Sequence, residues 1–224
     1  MTASLGRRLA AEAIGTAYLL AIVIGSGIMG ERLAMGNPAI ALLANSLATG
    51  CGLAALILAF APISGAHFNP AVTLVAALER DIAWRDAAAY VGVQVASAFA
   101  GVAAAHVMFG EPVFFASARV RTGAGQWLGE TIATFGLVTI VLGCARQGTK
   151  AIALAVAAYI AAAYWFTSST SFANPAVTLA RAASDTFAGI RPADAPGFVI
   201  AQLAGAMAAL GVMRVLVPKA RAGT

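Results

Sequence analysis

SGAHFNPAVTL, residues 64–74, is answered by TSFANPAVTL, residues 170–179, and the shared six letters stand 105 positions apart, at Asn69–Leu74 and Asn174–Leu179. Each copy reads as a helix start. Asparagine is a preferred N-cap, and proline at the first helical position loses no hydrogen bond and arrives with φ preset. A single Asn-Pro pair is an ordinary turn signal. Two identical six-residue copies in one chain need a common structural reason.

The surroundings supply it. The chain is 61% hydrophobic and 10% charged, with a mean hydropathy of +0.86, which a soluble surface does not tolerate. Six apolar runs are long enough for a hydrocarbon core, which takes about 20 residues of helix. They lie near Leu9–Met29, Pro38–Ala61, Ala87–Phe109, Trp127–Ala145, Ala151–Phe166 and Pro196–Val217. The helices that begin at Pro70 and Pro175 end near Glu79 and Ser184. At about ten residues, or about 15 Å, each reaches only half-way through a bilayer. The small and polar residues ahead of them, Ser64–Ala66 and Ser168–Ser171, suit extended backbone buried against protein or a water-filled cavity.

Two weaker pairs flank the copies in the same order. Glu12 and Glu130 are each followed four residues later by a threonine, Thr16 and Thr134, and Gln94 is matched by Gln202. Each half therefore reads as span, span, half-span, span. Three crossings per half send the second half in from the opposite side, so the duplication is an inverted repeat. The expected organisation is a single domain over residues 1–224, with repeats of about 1–115 and 119–224.

Lysine and arginine set the orientation. With the N-terminus inside, the cytoplasmic segments hold Arg7, Arg8, Arg80, Arg85, Arg146, Lys150, Arg214, Lys219 and Arg221, against Arg32, Arg119, Arg121, Arg181 and Arg191 outside. Both termini are thus expected in the cytoplasm. The net charge of +5 is this bias, with an attraction to anionic lipid and no nucleic-acid pattern. Arg7-Arg8 before an apolar run has leader traits, but the run is too long, so the first span is expected to be retained. Cys51 and Cys144 fall inside spans and read as small packing residues, and Gly15, Gly50, Gly92, Gly136 and Gly205 as points of close helix approach.

These features together resemble the aquaporins, the major intrinsic protein family: six spans, two Asn-Pro-Ala boxes, and a glutamate near the start of each half. The resemblance implies an all-α membrane bundle of six tilted helices and two re-entrant half-helices meeting at the midplane. It also implies a homotetramer in which each chain carries its own pore. Neither a cofactor nor a metal is implied.

Two half-helices meeting N-terminus to N-terminus place two partial positive charges, each about half an elementary charge, at the pore centre. The amides of Asn69 and Asn174, in the boxes Asn69-Pro70-Ala71 and Asn174-Pro175-Ala176, would offer donors there, and the backbone to either side carbonyl acceptors. A neutral solute exchanges its hydration for these groups, whereas a cation is repelled. Glu12 and Glu130 are acids inside spans, which are costly and usually functional. With one per half at symmetric positions, they suit bracing of the re-entrant loops better than a proton relay. His67 reads as a loop brace or a cytoplasmic-mouth residue, a lone histidine being a weak metal ligand.

In the family that this chain resembles, selectivity sits at an outer constriction, and the residue straight after the second box is an arginine. Here it is Val177. Counting without gaps gives Thr49, Ala162 and Ser171 as the other members, so all four side chains are small. Arg181, four residues beyond Val177 on the same face, is the expected outer-mouth cation. The resemblance then implies a passive channel for water or larger uncharged molecules such as glycerol, urea or undissociated metalloid acids like arsenous acid. Competing readings are a water-only channel with a drifted filter, a secondary transporter on the same architecture, and a membrane enzyme. The chain shows neither a midplane carboxylate cluster nor a nucleophile or phosphate motif. An inner (plasma) membrane location is expected.

Overall fold

The computed structural model describes residues 3–217; Lys219 and Arg221, counted in the charge bias, lie outside them. Six helices are long and apolar enough to cross a membrane. They are α1 (Leu5–Leu33), α2 (Pro38–Ser64), α4 (Trp84–Phe109), α5 (Ala124–Cys144), α6 (Thr149–Phe166) and α8 (Ala195–Leu216). Between them stand two short ones, α3 (Pro70–Leu78) and α7 (Pro175–Arg181). At 9 and 7 residues they span about 14 and 10 Å.

Within the first repeat α1 packs against α2 and α4; within the second α5 packs against α6 and α8, and α2 meets α6 across the centre. Small residues set the closest crossings. A Cβ on Gly101 of α4 would lie 2.1 Å from the Ala17 carbonyl of α1, and one on Gly205 of α8 would lie 2.3 Å from the Thr131 carbonyl of α5. Gly92 has no such neighbour, so the close-approach expectation does not hold there. Nor is Cys51 a packing residue, because it is exposed on α2.

The half-helices tie the repeats together. Besides their own repeat, α3 contacts α8 and α5, α7 contacts α4 and α1, and the two meet each other. That meeting point is where the two asparagine boxes face one another.

Candidate pore and its constriction

Both boxes fold as local chemistry dictates. Asn69 and Asn174 sit in extended conformation before a proline, and their side-chain oxygens cap the first turns. Oδ1 of Asn69 accepts from Ala71 N at 2.9 Å; that of Asn174 accepts from Ala176 N at 3.0 Å and Val177 N at 3.3 Å. The amide nitrogens then reach across. Nδ2 of Asn69 donates to the Ala173 carbonyl and Nδ2 of Asn174 to the Phe68 carbonyl, both at 2.8 Å. One of the two N–H groups on each amide is thereby committed to the opposite loop, so each asparagine has a single donor left for the lumen. Ala71 and Ala176 are both fully buried.

A buried glutamate holds each loop. Glu12 accepts from His67 N (2.9 Å), Phe68 N (2.7 Å), the Ser64 hydroxyl and Gln94 Nε2. Glu130 accepts from Phe172 N (2.8 Å), Ala173 N (2.9 Å) and Gln202 Nε2. A trans peptide points its carbonyl opposite to its N–H. Turning these amides outward toward the glutamates therefore aims the carbonyls of Ala66, His67, Ser171 and Phe172 the other way, and all four residues line the lumen. The backbone is not simply extended. Ala66, Phe68, Thr170, Ser171 and Ala173 all have positive φ, between 49° and 61°. Such conformations persist where surrounding contacts impose them.

Gln94 and Gln202 do more than meet the glutamates. Each also donates to a half-helix threonine, Gln94 to Thr73 at 3.0 Å and Gln202 to Thr178 at 2.8 Å. Glutamate, glutamine and threonine thus form one buried chain in each repeat. His67 adds to the first, with Nδ1 3.1 Å from the Thr73 hydroxyl and its ring tilted against Tyr90. It is half-buried and lines the lumen.

The lumen encloses about 210 Å³, room for several waters in file. Leu19, Val23, Leu53, Ile57, Val141 and Val156 give it an apolar wall, crossed by Asn69, Asn174 and the loop carbonyls. Thr49, Ser171 and Val177 all line it and all are buried. Ala162 does not: it is exposed on the outer face of α6. Two residues on, about 200° around the helix, Tyr164 lines the lumen in its stead, its hydroxyl 3.2 Å from Thr49 Oγ1. The gapless count fails here, and the constriction keeps one bulky aromatic.

Arg181 is also not where the sequence puts it. Its side chain is 2% exposed, neither at an open mouth nor snorkelling on the surface. The guanidinium stacks 3.3 Å from the ring centroid of Phe172, and Nε donates to the Ala188 carbonyl. Nε makes the one hydrogen bond of this guanidinium found among the described residues. A second arginine arrives from the loop between α4 and α5. Arg121 donates to the Gly189 and Ser169 carbonyls at 2.8 and 3.2 Å, and its guanidinium lies 5.1 Å from the same Phe172 centroid. Burial, and then the nearby charge of Arg119, push Arg121 down to about 10, so it stays charged at neutral pH.

Sequence reasoning passed over Tyr164, Phe172, Arg121, Thr73 and Thr178. The 105-residue offset carried a signal for part of this. It pairs Phe172 with His67 and Arg181 with Ala76, departures from symmetry that flank the second box.

Comparison with known proteins bears on this architecture. The family model described as Major intrinsic protein matches residues 1–151 and 141–224. The chain is 55% identical over 217 residues to aquaglyceroporin AqpS of Rhizobium meliloti (strain 1021), covering 97% of this chain and 93% of that one. It is 33% identical to aquaporin NIP3-1 of Zea mays over 66% of this chain and 49% of that one. The X-ray structure of the aquaglyceroporin from Plasmodium falciparum superposes with a TM-score of 0.74 at 18% identity, covering 96% of this chain and 98% of that one, a likeness of fold alone.

Proposed function

Since the chain belongs to the major intrinsic protein family, a multi-pass membrane family of channels and not enzymes, we propose that it is a passive channel whose outer constriction admits neutral solutes larger than water. Passage of water and small neutral solutes such as glycerol accords with the aquaglyceroporin likeness. The finer claim rests on one observation: Val177, buried and lining the lumen, puts an uncharged three-carbon side chain beside Thr49 and Ser171. An arginine there would be longer, permanently charged and rich in donors. Urea and undissociated metalloid acids such as arsenous acid fit the wider gate.

The remaining assignments follow the same reading. Asn69 and Asn174 are the midplane donors, and Glu12 and Glu130 hold the acceptor ladder in place. His67 stands toward the cytoplasmic mouth. The chain works in the inner (plasma) membrane with both termini cytoplasmic, as a homotetramer in the lipid bilayer.

One observation favours a narrower, water-selective gate: the Tyr164 ring occupies the place expected for Ala162 and bonds to Thr49. Stopped-flow light scattering on proteoliposomes separates the two readings, with water, glycerol, urea and arsenous acid compared side by side. Fluxes that neither saturate nor depend on proton or sodium gradients mark the channel. Passage of water alone removes the wide-gate reading.

A further inference from the structure

Arg121 and Arg181 share one aromatic platform. Their guanidinium carbons lie 5.1 and 3.3 Å from the centroid of Phe172, and Phe172 itself lines the lumen next to Ser171. Among the described residues neither arginine forms an ion pair with a carboxylate. The ion pairs found are Arg8–Asp86, Arg32–Glu111, Arg119–Glu31, Arg191–Asp194 and Arg214–Glu79. The buried carboxylate of this half, Glu130, is committed to the Phe172 and Ala173 amides and to Gln202.

Two like charges held on one ring without a counter-ion are costly, in desolvation and in mutual repulsion. Packing alone does not call for them. The first repeat has Ala76 at the position equivalent to Arg181 and His67 at that of Phe172. The second repeat spends the carbonyls of Ala188, Gly189 and Ser169 on holding the cations in place. What they face is a constriction whose own lining residues, Thr49, Tyr164, Ser171 and Val177, carry no ionised side chain.

We propose that Arg121 and Arg181, fixed about Phe172, exclude cations from the outer constriction while Val177 leaves it open in size. An arginine projecting into a pore both narrows it and charges it. Here the two jobs are divided: charge comes from behind the wall, and width from the lining. In a low-dielectric wall a fixed charge acts over several ångströms without touching the permeant. The stacked guanidinium also occupies a face of Phe172 that would otherwise attract a passing cation. The inference rests on Val177 lying at the constriction.

Urea and guanidinium make the test, being planar, nearly equal in size and different in charge. Their fluxes into proteoliposomes are compared for the parent, Arg121→Gln, Arg181→Met, the double variant and Arg181→Lys, with proton flux from an entrapped pH dye. The parent is expected to pass urea and hold back guanidinium. The double variant should pass guanidinium and protons about tenfold faster or more, with urea flux reporting an open, folded pore, and Arg181→Lys should stay cation-tight. A folded double variant as tight to protons and guanidinium as the parent overturns the proposal. If the Arg181 variants do not fold, Arg121→Gln decides: a severalfold leak supports the proposal and a parental leak overturns it. A parent that passes water but not urea removes the wide-gate reading instead, and the proton arm still decides this one.

Discussion

Asn69 and Asn174 fasten each other's loops: each caps its own half-helix through Oδ1 and donates through Nδ2 to a backbone carbonyl of the other repeat, at 2.8 Å in both cases. The meeting of the two boxes is therefore one hydrogen-bonded unit in which capping and cross-repeat attachment share two side chains.

Asn174→Asp keeps the capping oxygen and loses the donor to Phe68 O. It brings a carboxylate against that carbonyl and into a lumen otherwise short of anions. Neutral-solute flux should fall severalfold and cation leak rise, since the charge opposes the barrier of the half-helix N-termini. Stopped-flow and ion-flux measurements on one folded preparation check both. Unchanged fluxes would remove Asn174 from the permeation path.

Glu130→Ala should act on stability before selectivity. It strips acceptors from two buried amides, Phe172 N and Ala173 N, and from Gln202. At about 1–3 kcal/mol for each orphaned group, a melting temperature in detergent should drop by several degrees or more. Glu130→Gln, which keeps one acceptor oxygen, should lose less. A thermally normal Glu130→Ala protein that had lost only gradient-dependent uptake would point to a transporter.

The revised constriction makes a paired prediction at Tyr164 and Ala162. Removing the ring with Tyr164→Ala should raise glycerol and urea flux severalfold while water changes little, because the ring lines the lumen against Thr49. Ala162→Phe, on the exposed side of α6, should leave the solute ratios alone. The reverse result would restore the gapless count.

Val177→Arg should cut glycerol and urea flux severalfold or more and spare water. It also sets a third guanidinium near Arg121 and Arg181, so the folded fraction should fall unless Arg181 is replaced as well. Size-exclusion and melting profiles come before flux. If the folded variant conducts large solutes like the parent, Val177 does not line the narrow point.

Much of this was legible in the sequence because it obeys local rules. The Asn-Pro pairs mark helix starts whatever surrounds them, and apolar length alone marks the six spans. Of the expected gate residues, Val177 and Ser171, tied to Asn174 by a few fixed residues, and Thr49, counted back from Asn69 along a regular helix, all line the lumen. Ala162 was wrong because the path from α6 through Thr167–Ala173 includes residues with left-handed backbone, whose reach no residue count can give. Arg121 was hidden for a different reason. It comes from the loop between α4 and α5 and reaches Ser169, 48 positions away, so no local pattern marks it.

The docking of α3 on α8 has a consequence for biosynthesis. Residues 70–78 leave the ribosome early, yet part of the surface that covers them lies in residues 195–216, near the end of the chain. This half-helix can settle fully only after the last crossing has inserted. Until then its polar backbone must wait in a translocon, at the interface or against a chaperone. Assembly is thus ordered by the end of translation, and a ribosome stalled before residue 195 should yield a protease-accessible α3, however normally the first four crossings have formed.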